Sequence, residues 1–397
     1  MRLAILFANF GPYHVARISA LSQHCVPLPI EVRAESAEYR WGGGTFQRFE
    51  RTTLVESTEL RSITSAEIRR RLVGHLERLA PDVIAVPGWH DTISLAAIRW
   101  ARTAGVAVVM MSESTRNDER RYMHRELVKR QIVGLCSAAM VGGSLHAEYV
   151  QQLGLAPSRI VDGYDVVDNA HFANGADLAR ASEAARRQEF GLPDNYFLAS
   201  SRFIARKNLL WLIDAYELYR RQVTNSPWNL VILGYGPLEA ALRDRVSSRG
   251  LESSVSIDGF QPYGRLPIYY GLSGAFIHPA LKEPWGLVVN EAMAAGVSVL
   301  VSSAAGCAPD LVVHGETGFQ FNPTDTAQLA GQMSRISGEP DLRRQMAERA
   351  RVHVADWSPA RFGRNLARAA HLARSEQSAQ APMLARLCLQ LLLHRVS

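Results

Sequence analysis

Apolar residues in this chain fall into two kinds of pattern that take turns along its length. Short, largely unbroken runs at residues 3–7 (Leu-Ala-Ile-Leu-Phe), 81–86, 106–111, 138–141, 196–200, 228–233, 274–277 and 297–301 read as strands. A run that stays apolar without alternating suits a strand covered on both faces, as in a parallel sheet. Between the runs lie stripes with helical spacing. In residues 65–79, Ile68, Leu72, Leu76 and Leu79 recur every three or four positions, and Arg69, Arg70, Arg71 and Arg78 take the other side. Residues 15–21, 92–104, 117–132, 145–153, 209–220, 266–272, 329–354 and 360–374 are further predicted helices, and part of 31–38 is a predicted second strand. Strand–helix alternation of this kind predicts an α/β protein with parallel sheets, each strand reaching the next through a crossover helix.

A chain of 397 residues exceeds what one core holds comfortably, so two domains are expected. The pattern breaks between residues 157 and 194. There, 166–169 reads as a last strand, and a short polar helix at 179–190 ends in Gly191-Leu-Pro-Asp194. The boundary is placed near Gly191, which gives domains 1–190 and 191–359.

The densest chemistry lies in residues 278–296, His-Pro-Ala-Leu-Lys-Glu-Pro-Trp-Gly-Leu-Val-Val-Asn-Glu-Ala-Met-Ala-Ala-Gly. An apolar run stops at His278-Pro279, and Pro284 disfavours helix at Glu283, so a strand gives way to a loop. A helix is predicted from Gly286, with Gly296 as its stop and the next strand close behind. Ligands of parallel sheets sit beyond the C-terminal strand ends, where helix N-termini point. The backbone N–H groups of Gly286 and Leu287 lie at such a terminus and suit a phosphate anion. Glu283 and Glu291 bracket them, eight residues apart. Each is either a solvated acid favoured by the helix dipole or a carboxylate that grips the paired hydroxyls of a sugar ring. Phosphate held between two sugars describes a nucleotide-sugar.

Composition narrows the setting. Hydrophobic residues make up 47% and charged residues 21%, ordinary for a globular protein. Cys25, Cys136, Cys307 and Cys388 are too scattered for a metal site or a disulfide framework and read as reduced packing residues of a cytoplasmic protein. The opening apolar run is too short for a secretion signal, and no stretch approaches the ~20 apolar residues a membrane span requires. The net charge of +6 favours anionic partners. Nucleic acid is not expected, because the arginines are dispersed and no nucleic-acid module appears. A sugar-nucleotide together with peripheral contact at an anionic membrane, at the inner face of the plasma membrane, accounts for the charge as well. Residues 383–396, Leu-rich but interrupted by Arg386, His394 and Arg395, form either a capping helix or an interfacial anchor.

Other strand ends carry candidates. Asn9-Phe-Gly-Pro-Tyr-His14 follows the first strand, and Gly11 is either a plain turn residue or a donor-side one. Trp89-His-Asp91 follows the strand at 81–86, and His90 serves either binding and proton traffic or a structural role at the helix start. Gly234 and Gly236 after the strand at 228–233 allow close approach to backbone. The triple glycine in Arg40-Trp-Gly-Gly-Gly-Thr-Phe46 is a weaker signal, for an acceptor-side loop or merely a flexible one.

The string Glu-Pro-Trp-Gly-Leu-x-x-x-Glu-Ala-x-Ala-x-Gly at 283–296 resembles the family 4 glycosyltransferases, and Gly315-Glu-Thr-Gly-Phe319 resembles a hairpin turn common among them. The resemblance covers the second half well and the first half loosely. It implies the GT-B fold, two Rossmann-like domains whose parallel sheets face each other across a cleft, with the helix after residue 360 crossing back to the first domain. It also implies a retaining transferase that needs no metal or other cofactor and moves a sugar from a nucleotide-diphosphate sugar to a saccharide or lipid-linked hydroxyl, as in cell-surface polysaccharide synthesis. Ser201-Arg-Phe-Ile-Ala-Arg-Lys-Asn208 matches the family's diphosphate grip, with Arg202 and Lys207 five residues apart. On the same resemblance Glu283 holds the donor sugar, Glu291 the ribose, and Gly286 and Leu287 the phosphate, with Gly11, Gly234, Gly236 and Pro284 lining the donor side. The first half departs where many members have a His after the strand at 106–111. This chain has Ser112-Glu113-Ser114, so Glu113 is either a substitute for that His or a helix-capping acid. Two other functions share the fold: a nucleotide-sugar epimerase, and a catalytically inactive scaffold subunit.

Overall fold

The computed structural model describes residues 1–34, 50–56, 63–375 and 383–394. The glycine-rich loop at 40–46 lies outside the described residues. The chain divides into two compact units, one of residues 1–166 and 359–397 and one of residues 167–358.

The first unit runs β1 (Arg2–Phe7), α1 (Pro12–Leu21), β2 (Val26–Arg33), β3 (Thr52–Val55), α2 (Ser65–Leu79), β4 (Val83–Pro87), α3 (Thr92–Ala104), β5 (Ala107–Ser112), α4 (Met123–Val133), β6 (Ala138–Val141), α5 (Ser144–Gln152) and β7 (Ile160–Val161). All its strand pairs are parallel, in the order β3-β2-β1-β4-β5-β6-β7. Alternate residues of β1 feed different cores, which is why its run is apolar throughout. Ala4 and Leu6 pack with Leu72, Leu76 and Ile98 from α2 and α3. Leu3, Ile5 and Phe7 pack on the opposite face with Ile18 and Leu21 of α1.

The second unit runs α6 (Asn169–Ala181), α7 (Glu183–Phe190), β8 (Tyr196–Ser200), α8 (Leu209–Gln222), β9 (Asn229–Leu233), α9 (Glu239–Ser248), β10 (Val255–Gly259), α10 (Leu266–Leu272), β11 (Ala275–His278), α11 (Leu287–Ala294), β12 (Ser298–Ser302), α12 (Ala308–Leu311), β13 (Gly318–Phe321), α13 (Thr326–Gly338) and α14 (Pro340–Val354). Its sheet is parallel too, in the order β10-β9-β8-β11-β12-β13. The chain then returns to the first unit as α15 (Pro359–Ser375) and α16 (Met383–His394). Phe362, Leu366, Ala369, Ala370 and Ala373 of α15 complete the core under α1 and β4–β6.

Several expectations shift. The chain passes between units at Val166 and Val167, not near Gly191. The reason is that α6 packs on α10 at very short range: a Cβ added to Gly271 would lie 2.7 Å from the Cα of Ala176, and one on Gly175 would lie 2.6 Å from Pro267. Residues 166–169 are no strand; β7 comes earlier, and Asn169 already opens α6. The second strand begins at Val26, ahead of the expected 31–38, because Pro27 and Pro29 disguise it. The Val26 N–H bonds Met1 O on the β1 side, so both prolines face the side where β3 pairs only from Ile30 onward. Helix 117–132 shortens to α4, since Thr115 and Asp118 bond each other in a turn just before it. Helix 329–354 divides at Gly338-Glu339-Pro340. Gly315 donates to Gly318 O in a tight turn, but β13, which follows, pairs parallel with β12 instead of closing a hairpin.

Candidate functional site

In each unit one pair of strands has neighbours running off in opposite sequence directions: β1 and β4 in the first, β8 and β11 in the second. A parallel sheet opens a crevice at such a switch point, beyond the C-terminal strand ends. Lys207 follows β8 and Glu283 follows β11, so the two residues assigned from sequence come together at the second unit's switch point.

The loop after β11 is pinned on both sides. Leu281 N–H donates to Arg206 O, at the turn that carries Lys207. Glu283 pairs with Ala305 as an isolated parallel bridge, Gly306 N–H donates to Glu283 O and Cys307 N–H to Trp285 O. Trp285 is buried, its indole N–H donating to Asn290 Oδ1 at 2.8 Å, and its ring lies against Trp357 at 5.0 Å. Pro284 is held between these anchors. Gly286 then turns into α11 at φ +107°, a left-handed conformation that favours glycine, and a Cβ there would sit 3.3 Å from both Glu283 Cγ and His278 Nε2. The far end of α11 is closed by Arg180, which donates to Ala295 O at 2.6 Å.

Lys207 Nζ donates to Glu283 Oε2, and His278 Nε2 lies 3.2 Å from the same oxygen. The Lys207 and Glu283 side chains are only 12% and 9% exposed, so water screens the pair weakly. Burial pushes the Glu283 carboxyl upward, but His278 and Lys207 outweigh it and hold it down at about 2. Burial also lowers the basicity of His278, which Glu283 partly restores. The outcome is an ionised carboxylate fixed against a cation at the mouth of α11.

Glu291 lies on α11, buried, and accepts from the Tyr270 hydroxyl at 2.6 Å. Beside it His171 stacks on Tyr263 at 4.2 Å, with an interplanar angle of 8°. Burial, with Glu291 and Asp168 nearby, pushes the Tyr263 phenol upward. Sequence reasoning missed His278, Tyr270, Tyr263 and His171. His278 alone carried a signal, as the last residue of a buried run. The others come from α10, its preceding turn and α6, too far along the chain for spacing to reveal.

Arg202 is half-buried in the loop between β8 and Lys207. That loop interlocks with the one after β9. Phe203 N–H donates to Tyr235 O at 2.7 Å, and Leu238 N–H to Phe203 O at 3.1 Å. Gly234 and Gly236 make the lock possible. At φ +142° and +151°, a Cβ on them would stand 1.8 Å from Ser201 O and 2.7 Å from Phe203 O. These glycines therefore have a packing role in this chain whatever approaches them.

In the first unit Gly11, His90 and Glu113 follow β1, β4 and β5, three neighbouring strands, so all lie along one sheet edge. Their surroundings differ from those at the second switch point. Gly11 caps α1 with φ −122°, which any residue adopts, and its N–H donates to His14 Nδ1 at 2.9 Å. His14 is wedged against Phe7 and Phe10, and burial with Arg17 lowers it to about 3, marking it as a neutral packing residue. His90 and Glu113 are exposed. The cap of α3 is Asp91, which accepts from Ile93 and Ser94 N–H, and not His90. Glu113 caps no helix either: α4 begins ten residues later, after Tyr122. Glu113 is close enough to Tyr164 to add to the upward push that burial exerts on that phenol. Among the described residues no group of three His, Cys, Asp or Glu side chains is placed to hold a metal ion.

Residues 182–353 match the family model described as glycosyl transferases group 1. The chain is 31% identical over 180 residues to the alpha-D-kanosaminyltransferase of Streptomyces kanamyceticus, covering 45% of this chain and 46% of that one. It is also 31% identical over 152 residues to the amylovoran biosynthesis glycosyltransferase AmsK of Erwinia amylovora, covering 36% and 37%. The match thus spans less than half the length of either relative. In overall fold the chain is similar to Anabaena Alr3699/HepE, solved in complex with UDP, with a TM-score of 0.70 at 17% identity over 93% of this chain and 99% of that one. The fold is thus the GT-B type, two Rossmann-like α/β units, and residues 182–353 are similar to the group 1 glycosyl transferases.

Proposed function

We propose that this protein is a retaining glycosyltransferase that moves a sugar from a nucleotide-diphosphate sugar to a saccharide or lipid-linked hydroxyl, in the synthesis of a cell-surface polysaccharide or glycoconjugate. The observation that carries the reading is the Lys207–Glu283–His278 cluster at the β8/β11 switch point, inside the region that matches group 1 transferases. Amylovoran synthesis by one relative and UDP bound to one structural neighbour agree with it.

In this reading Arg202 and Lys207 grip the donor diphosphate. The N–H groups of Gly286 and Leu287 add donors at the start of α11, Glu283 accepts from hydroxyls of the transferred sugar, and Glu291, held by Tyr270, accepts from the ribose. Gly234, Gly236 and Pro284 shape the donor side by backbone. The acceptor oxygen attacks the anomeric carbon on the face from which the diphosphate leaves. The bond to the leaving oxygen breaks, its charge passes to the diphosphate facing Arg202 and Lys207, and a phosphate oxygen takes the acceptor proton. Two fixed cations supply the charge a divalent metal would, so transfer proceeds with no cofactor. His90 and Glu113 are assigned to the acceptor. The donor pool places the enzyme in the cytoplasm.

A panel of nucleotide-sugars scored by thermal shift identifies the donor, because a ligand that binds only the folded state raises the melting point. Calorimetry with that donor then gives heat for an enzyme and none for an inert scaffold. Product NMR reads the configuration at the anomeric carbon, and an inverted product overturns the retaining reading. An epimerase would convert donor without an acceptor. Unchanged turnover in Glu283→Ala and Lys207→Ala would remove the proposed site.

A further inference from the structure

Helix α16 is apolar on two sides, and the fold covers one of them. Ala385, Leu389 and Leu393 are 1%, 3% and 5% exposed and join the core of the first unit. Leu384, Leu387 and Leu391 repeat at the spacing of a second stripe and remain 57%, 48% and 57% exposed, with Met383 at the end of the helix more exposed still. A helix hydrophobic on all sides is normally buried on all sides. Helix α16 packs against α3 and α4, and α4 repeats the feature with exposed Met123 and Leu127 after exposed Tyr122. Of thirteen large apolar side chains exposed among the described residues, these seven sit on two touching helices or the residue before one of them. Such a concentration marks an interaction surface.

Charge says what the surface meets. The sequences of α4 and α16 hold Arg125, Lys129, Arg130 and Arg386 against the single acid Glu126. Glu126 is already engaged by Lys129, Arg121 and the Tyr149 hydroxyl. At twelve residues α16 is about 18 Å long, well short of the ~30 Å hydrocarbon core, and no described helix is long and apolar enough to cross a membrane. From apolar side chains at that density, edged by cations that outnumber acids on two helices too short to span, we infer that α16 lies in the plane of an anionic lipid surface. Its Leu384–Leu387–Leu391 stripe enters the acyl boundary, and the arginines of α16 and α4 meet the headgroups. The inference goes beyond the transferase reading and holds whichever donor is used.

Cosedimentation with phosphatidylcholine vesicles, with and without phosphatidylglycerol, tests it on the full chain. The wild type partitions onto vesicles containing phosphatidylglycerol, weakly onto phosphatidylcholine alone, and less of it binds as salt rises. L384Q/L387Q/L391Q loses about tenfold or more of that partitioning while its melting point and donor heat stay at wild-type values, since the stripe is exposed in the folded chain. The single variants L384Q and L391Q each show part of the loss, which keeps the test valid should the triple variant misfold. Arg125→Gln/Arg130→Gln/Arg386→Gln removes the preference for phosphatidylglycerol. Wild-type protein that ignores anionic vesicles overturns the inference, as do stripe variants that bind like wild type. A dimer by light scattering that the triple variant disperses, with no vesicle binding in either form, would show instead that a second copy of the chain covers the stripe.

Discussion

The two switch points share a scaffold and differ in what they carry. At β8/β11 a lysine and a histidine meet the same oxygen of one glutamate under cover, and a second glutamate on α11 is held by a tyrosine. At β1/β4 and the adjoining β5 the titratable candidates His90 and Glu113 have exposed side chains, and the buried histidine beside Gly11 is neutral and packed among phenylalanines. The same sheet topology thus supports one edge whose charges are fixed before any ligand arrives and one edge left open. A fixed edge suits an invariant chemical part, such as a diphosphate and its leaving charge. An open edge suits a part that varies, such as an acceptor.

The contrast can be broken most directly at the acids. Glu283→Ala is expected to cost about a thousandfold in turnover, measured as nucleoside diphosphate released. It should also cost ~3 kcal/mol in urea unfolding, because the largely covered Lys207 loses its partner. Glu113→Ala, on the open edge, is expected to change stability by no more than ~0.5 kcal/mol. Equal losses in the two variants would erase the distinction. The glycines give the next largest contrast. Gly234→Ala drives a Cβ into Ser201 O from a left-handed backbone and should lower stability by about 3 kcal/mol or more. Gly11→Ala, at an extended φ, should cost well under half of that in the same titration. Tyr270→Phe removes the donor to Glu291 and is expected to cost ~1–3 kcal/mol, with the donor KM raised and the acceptor KM unchanged. A shift in the acceptor KM alone would move Glu291 out of the donor site.

Acid should act in two stages, the first shared by both edges and the second belonging to β8/β11 alone. His14 and His278 both have folded values below the ordinary 6.5 because burial disfavours their charged forms, so the unfolded chain binds protons first and stability falls as pH drops below that value. Glu283, held at about 2 against an ordinary 4.5, adds a second loss as pH falls from 4.5 toward 2. Urea midpoints for wild type and Glu283→Gln at a series of pH values should differ in slope below 4.5 and run parallel above it. Parallel slopes throughout would show that Lys207 and His278 do not hold the carboxylate down.

Both sheets were legible at their centres, where β1, β4, β5, β6, β8, β9, β11 and β12 declare themselves as apolar runs, and less so at their edges, where β3, β7 and β13 are too short for a run to stand out. The exceptions have local causes, such as the prolines of β2. The domain boundary was illegible because α6 looks like linker until it meets α10, and that contact depends on Gly175 and Gly271 ninety-six residues apart. At the site, the sequence places Lys207 and Glu283 each just beyond a strand, and the fold sets those strands side by side. The sequence could not show that they touch, nor that Tyr270 and His278 complete the set, because side-chain pairing across strands leaves no periodic trace. The tail at 383–396 was read as cap or anchor, two roles that exclude each other only if a helix has one apolar face; in the fold α16 caps with one face and keeps another.

The lock between the loops after β8 and β9 has a practical consequence. Anyone grafting loops from a related protein onto this scaffold has to transplant the 201–208 and 234–238 segments as a couple, since either alone would meet a backbone shaped for its absent counterpart.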